Sequence, residues 1–192
     1  MAPNSEFALP RCMRGRPELL GATDHLARME LLVLDIDGTL TDGQVVYSVE
    51  GDVQRYSVHD GQGLVWVTRI GGMKQAWISG RAGSPARRRA KELGVDCLRL
   101  GVSGKAQVLQ SVQQELGIAP DRTLAMGDDL PDLGLAAHSG LFIAPKNARS
   151  EVRQRAHFVT RKRGGHGAVR EVCEWLLYAK GHWSGIVEDL VR

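Results

Sequence analysis

Leu31-Leu32-Val33-Leu34-Asp35-Ile36-Asp37-Gly38-Thr39 decides the fold, because four aliphatic residues in a row run straight into an acidic turn closed by glycine. A strand with one wet face alternates apolar and polar residues, whereas an unbroken aliphatic run bounded by a turn suits a strand covered on both faces. The spacing therefore predicts a strand over 31–34 within a parallel sheet, with the chemistry at its carboxyl end. Residues two apart in an extended chain point the same way, so Asp35 and Asp37 can present both carboxylates to one small space. Carboxylates so close repel unless a cation or a shared proton offsets the charge. A hard divalent ion with oxygen ligands, Mg2+ above all, suits that role.

Outward from this stretch, strand and helix signals alternate. Val45 to Ser48 and Val53 to Ser57 flank Glu50-Gly51 and read as a small β-hairpin; Gly61 to Ile70 follows as a helix. Gln75 to Ser79 is a short apolar strand ending at Ser79-Gly80-Arg81, and the next helix is closed by Gly94. Asp96 to Leu100 reads as a strand. Lys105 to Leu116 reads as a helix with Val108, Leu109, Val112 and Leu116 on one face. Arg122 to Met126 is a strand that breaks at Gly127-Asp128-Asp129. Leu141 to Ala144 and His157 to Thr160 add two more, with a helix over about 148–155 between them, and Gly167 to Tyr178 closes the pattern as an amphipathic helix. The expected fold is α/β: a Rossmann-like parallel sheet with helices on both faces, a small hairpin after the first strand and no cap domain. Ligands of such sheets bind beyond the carboxyl ends of the strands, where Asp35, Asp37, Ser79, Asp128 and Asp129 fall. Lys105 adds a positive charge and Ser79 a hydroxyl, the groups that hold phosphate oxygens during phosphoryl transfer.

Composition sets outer bounds. The 192 residues, 43% hydrophobic and 24% charged, match an ordinary globular domain that buries a core without disulfides or a structural metal. Cys12, Cys97 and Cys173 are odd in number, widely spaced and without a C-x-x-C or nearby histidine pair, which argues against a disulfide framework or a zinc site and points to a reducing, cytoplasmic setting. The formal charge of +3 comes from local groups such as Arg87-Arg88-Arg89 and Arg161-Lys162-Arg163. With aromatic residues at only 5% and no basic stripe interleaved with them, no nucleic-acid partner is expected. Residues 1–28 contain no uninterrupted apolar run, so neither a signal peptide nor a membrane anchor is expected. They read as a flexible N-terminal extension ahead of a domain over 29–180, with a C-terminal tail over 181–192.

The ordered set Asp35-Ile36-Asp37-Gly38-Thr39, Ser79, Lys105 and Gly127-Asp128-Asp129-Leu130-Pro131-Asp132 resembles the four motifs of haloacid-dehalogenase-type phosphatases. The resemblance implies that Asp35 attacks phosphorus to form an aspartyl-phosphate, and that Asp37 protonates the leaving oxygen and then activates water. It also implies that Mg2+ is held by the Asp35 carboxylate, the Asp37 main-chain carbonyl and Asp128, supported by Asp129 and Asp132. Dividing one displacement into two, with the ion screening two anions, makes chemical sense of that set.

Finer segments look like one capless subfamily, the 3-deoxy-D-manno-octulosonate 8-phosphate phosphatases. They are Leu40-Thr41-Asp42-Gly43, His59-Asp60-Gly61-Gln62-Gly63, Ile78-Ser79-Gly80-Arg81, and Thr160-Arg161 through Gly164-Gly165-His166-Gly167-Ala168-Val169-Arg170-Glu171. That likeness implies substrate contacts at Thr39, His59, Gly61, Gly80 and Arg81, a sugar-phosphate substrate on the way to lipopolysaccharide, and a homotetramer. The gaps from Asp37 to Ser79 and from Ser79 to Lys105 are too short for a cap domain, so a neighbouring subunit is expected to roof the site. The chain departs from the subfamily pattern at Pro131 and over Leu133-Gly134-Leu135-Ala136. A nine-carbon sialic-acid-type 9-phosphate is the alternative substrate. A phosphoacceptor domain, a nucleic-acid end-processing phosphatase and a silent scaffold are the alternatives of other classes.

Overall fold

The computed structural model describes residues 9–49 and 51–191. Glu50 of the expected hairpin turn, the first eight residues of the expected extension and Arg192 of the expected tail lie outside the described residues. The strands are β1 Leu31–Leu34, β2 Val46–Ser48, β3 Gly51–Val53, β4 Lys74–Ser79, β5 Cys97–Leu100, β6 Thr123–Met126, β7 Leu141–Ala144 and β8 Phe158–Val159. The helices are α1 Pro17–Gly21, α2 Thr23–Ala27, α3 Val58–Arg69, α4 Ser84–Leu93, α5 Lys105–Leu116, α6 Leu133–Ala136, α7 Ser150–Arg153, α8 Ala168–Ala179 and α9 Trp183–Asp189.

Six strands form one sheet in the order β5-β4-β1-β6-β7-β8, parallel at every pairing, while β2 and β3 form an antiparallel hairpin of their own. The aliphatic run of β1 is buried at all four positions, and its two faces serve two cores. Leu32 and Leu34 join Trp77, Leu64, Val67, Val172 and Trp175 under α3 and α8. Leu31 and Val33 join Ala76, Ile78, Leu109 and Val112 under α5. A helix layer on each face is what an unalternated strand requires. The chain leaves β1 for β4 on one side and returns to β6 on the other, so the strand order reverses around β1, where open α/β sheets place their ligands.

Three expectations need correction. The second hairpin strand is Gly51–Val53 rather than Val53 to Ser57, because Ser57 serves as the N-cap of α3 and its side chain accepts from Asp60 N at 3.3 Å. That cap starts α3 at Val58, so His59 and Gly61 occupy the first helical turn instead of a loop. Finally, residues 10–28 are part of the packed body: Met13, Leu19 and Leu26 are fully buried in the core under α8. Arg16 fastens the segment by pairing with Glu171 at 3.2 Å, donating to Val159 O at 3.0 Å and lying 4.8 Å from the centre of the Trp175 ring. At the other end, α9 packs Ile186 into the same core and sets Trp183 edge-on against Trp66.

Candidate active site

The carboxyl ends of β1, β4 and β6 deliver Asp35, Ser79 and Asp128 to one place. Asp35 is still held by the sheet, its N–H donating to Met126 O at 3.0 Å. Beyond it the chain turns sharply through Asp37 and Gly38, where Gly38 has φ 98°. A β-carbon at Gly38 would fall on the Asp128 carboxylate, so only glycine lets this turn come so close to β6. Thr41 ties the turn back, its hydroxyl donating to Ile36 O at 3.3 Å and accepting from Gly38 N at 3.3 Å.

Lys105, the first residue of α5, is buried and bridges two carboxylates. Its Nζ lies 2.5 Å from Asp35 Oδ1 and 2.5 Å from Asp132 Oδ1. Asp132 spends its other oxygen on the backbone, accepting from Asp128 N at 2.9 Å and Asp129 N at 3.1 Å. Its role is therefore to fix Lys105 and the loop after β6. Asp128 accepts from the Thr39 hydroxyl at 3.4 Å. Asp37 faces another way: Oδ2 accepts from the Ser79 hydroxyl at 3.3 Å and Oδ1 from Gln54 Nε2 at 3.0 Å. Each Asp37 carboxylate oxygen is thus engaged by one neutral donor.

The electrostatics follow from burial and crowding. Burial pushes the Asp35 carboxyl well above its usual range, with Asp132 adding to the shift and Lys105 opposing it. Burial and the neighbouring Asp132 and Asp129 push Asp128 up to about 6. Burial works to neutralise Lys105, but Asp35 and Asp132 outweigh it and hold the ammonium above its ordinary pKa. Asp35, Asp128 and Asp132 each offer an oxygen within 4.8 Å of the others. With a single ammonium among them the group carries excess negative charge. All-oxygen donors in that state fit a hard divalent cation.

The remaining expected contacts lie at different distances from this cluster. Gly80 is exposed, and the N–H of half-buried Arg81 donates to Ser79 Oγ at 3.1 Å. Gly61 is buried beneath the Arg89 guanidinium, which stands where a side chain would go. His59 faces a separate cavity of about 650 Å3 that Arg161, Lys162, His166 and Arg170 also line. The glycine-rich segment does reach the acidic turn. Gly165 N donates to Thr39 O at 3.1 Å, and a β-carbon at Gly164 would strike the Gly38 carbonyl. Two polar residues here were not foreseen. Asn147 donates to Gly38 O at 2.9 Å and accepts from Gly164 N at 2.6 Å, joining the two segments. Its place just beyond the end of β7 is the signal that could have found it. Gln54, in an expected strand, offers no such signal.

Residues 79–172 match the family model described as haloacid dehalogenase-like hydrolase. The chain is 36% identical over 164 residues to 3-deoxy-D-manno-octulosonate 8-phosphate phosphatase of Escherichia coli K12, covering 83% of this chain and 87% of that protein. Among solved structures, the enzyme of the same name from Moraxella catarrhalis, in complex with magnesium ion, phosphate ion and a KDO molecule, superposes with a TM-score of 0.85. It is 34% identical and the match covers 88% of this chain and 98% of that one. A cobalt-bound phosphatase for the deoxy-D-mannose-octulosonate 8-phosphate from Haemophilus influenzae gives a TM-score of 0.83 at 29% identity, over 88% of this chain and 99% of that one.

Proposed function

This chain belongs to the haloacid dehalogenase-like hydrolases, within the family of 3-deoxy-D-manno-octulosonate 8-phosphate phosphatases, and from that membership we propose that it hydrolyses a sugar-acid phosphate, 3-deoxy-D-manno-octulosonate 8-phosphate foremost, in making lipopolysaccharide precursors. The observation that carries the reading is the Lys105 bridge between Asp35 and Asp132 at the mouth of β1, with Asp37 turned aside onto Ser79. One carboxylate is thereby oriented to attack and the other is left to move a proton.

In the first step an Asp35 oxygen bonds to phosphorus as the bond from phosphorus to the sugar oxygen breaks. Asp37 passes its proton to that departing oxygen. In the second step water attacks the aspartyl-phosphate, Asp37 takes the water proton, and Asp35 is released as carboxylate. Lys105 keeps Asp35 in line and adds positive charge beside the transferring phosphoryl group. Asp35 and Asp128, with the Asp37 carbonyl, would hold Mg2+, which when bound neutralises charge between the anionic nucleophile and the anionic phosphate. On this reading Thr39, Ser79, Gly80 and Arg81 would contact the substrate; a planar guanidinium suits a substrate carboxylate or phosphate.

The same reading makes the protein a homotetramer. Val45, Val46, Tyr47, Val49 and Val53 of the hairpin region stand exposed, Tyr47 at 77%, and so much apolar surface on one ribbon favours a partner copy. Among the described residues no helix is long and apolar enough to cross a membrane. Phosphate release with Mg2+ from a panel of sugar phosphates tests the substrate. The eight-carbon acid 8-phosphate is expected to give the highest kcat/KM. A higher value for a nine-carbon sialic-type 9-phosphate would reassign the substrate, and equal rates on simple hexose phosphates would remove sugar-acid specificity.

A further inference from the structure

We infer that Gln54 is a positioning residue for the general acid, setting the Asp37 carboxyl group through a chain of contacts that runs Asp37–Gln54–Tyr56–Trp77 to the strand whose Ser79 is the second donor to Asp37. The inference rests on the proposed role of Asp37. Gln54 Nε2 donates to Asp37 Oδ1 at 3.0 Å, and the Ser79 hydroxyl donates to Oδ2 at 3.3 Å, so each carboxylate oxygen has one neutral donor. A single hydrogen bond leaves a carboxyl group free to swing about its side-chain torsions; two donors on different elements fix its plane.

Gln54 is itself held. The Tyr56 hydroxyl donates to Gln54 Oε1 at 2.7 Å, while Gln54 Nε2 faces Asp37. The Tyr56 ring stacks on Trp77, centroids 6.4 Å apart at 17°. Trp77 is fully buried in β4, and in a strand it shares a face with Ser79 two residues on. Both donors to Asp37 are therefore referred to the same strand, one directly and one through Tyr56 and Gln54. Gln54 also follows β3 directly, so the hairpin's seating is transmitted to the acid.

Proton donation matters most when the leaving group is a poor one. An alkoxide leaving a sugar needs the Asp37 proton, whereas p-nitrophenolate departs with little help. The test compares kcat/KM, which reports events through leaving-group departure, for 3-deoxy-D-manno-octulosonate 8-phosphate and for p-nitrophenyl phosphate, in wild type, Gln54→Met and Tyr56→Phe. Gln54→Met is expected to lose about tenfold on the sugar phosphate, the loss of one oriented hydrogen bond. It should lose less than twofold on p-nitrophenyl phosphate. Tyr56→Phe keeps the stack and is expected to show the same selectivity at about threefold, so the test survives if Gln54→Met does not fold. Equal losses on both substrates, or none on either, would overturn the inference. Failure of the wild type to hydrolyse either ester would instead overturn the proposed function beneath it.

Discussion

At the scale of single residues, charge governs the site. Asp128 is pushed up to about 6 by burial and by Asp132 and Asp129, so between the ordinary carboxylate range and pH 6 the folded protein keeps a proton that the unfolded chain has lost. Stability of the metal-free protein is then expected to fall as pH rises through that window. A divalent cation bound to the ionised group should restore it. At Mg2+ about a hundredfold over its dissociation constant the gain is about 5–10 °C in Tm, and it should be large at pH 8 and nearly absent at pH 4.5. Thermal melts with Mg2+ and with a chelator at both pH values check this; a gain at pH 4.5 equal to that at pH 8 would contradict it. That Asp35, Asp37, Ser79, Lys105 and Asp128 would meet was legible in the sequence because each is a chemically distinctive residue at a strand end or helix start, in a telling order. Asn147 and Gln54 were not. A neutral amide has no signature until its partners, distant in sequence, are known.

At the scale of elements, the short apolar strands were readable because two-sided burial leaves continuous aliphatic runs. The start of α3 was not, because Ser57 is an inconspicuous cap and the polar, glycine-containing turn behind it mimics a loop. The consequence is functional, since Asp60 inside that turn accepts from Gly167 N at 3.3 Å and Arg170 N at 2.7 Å and so caps the start of α8. The glycine-rich segment leading into α8 is in turn stitched to the acidic turn by Asn147. Asn147→Ala removes both stitches without touching a carboxylate. It is expected to lower kcat/KM by about tenfold through misplacement of the Asp35–Thr39 turn, with little change in global Tm. Steady-state kinetics beside a thermal melt check this, and unchanged kinetics would show that Asn147 does not hold the turn and that the Gly165–Thr39 bond suffices.

At the scale of the whole molecule, the parallel sheet and the missing cap followed from strand order and short gaps, whereas the packed N-terminal segment did not. Helices of five residues show no periodicity to read, and their anchoring depends on Glu171 and Trp175 at the far end of the chain. Leu26 is fully buried there, so Leu26→Ala is expected to cost about 2–5 kcal/mol and lower Tm by about 10 °C, measurable by calorimetry. A shift under 2 °C would return residues 10–28 to the status of a loose extension. Assembly belongs to this scale as well. Light scattering is expected to find four chain masses for the wild type and a smaller species for Val46→Ser with Tyr47→Ser, and an unchanged mass would place the interface elsewhere. Whether Asp35 is the nucleophile of a phosphatase is decided by Mg2+-dependent phosphate release from 3-deoxy-D-manno-octulosonate 8-phosphate with wild type and Asp35→Asn side by side. Rapid release by the wild type and a loss on the order of 10^4 or more in the variant are expected; release by Asp35→Asn within tenfold of wild type would remove Asp35 as nucleophile.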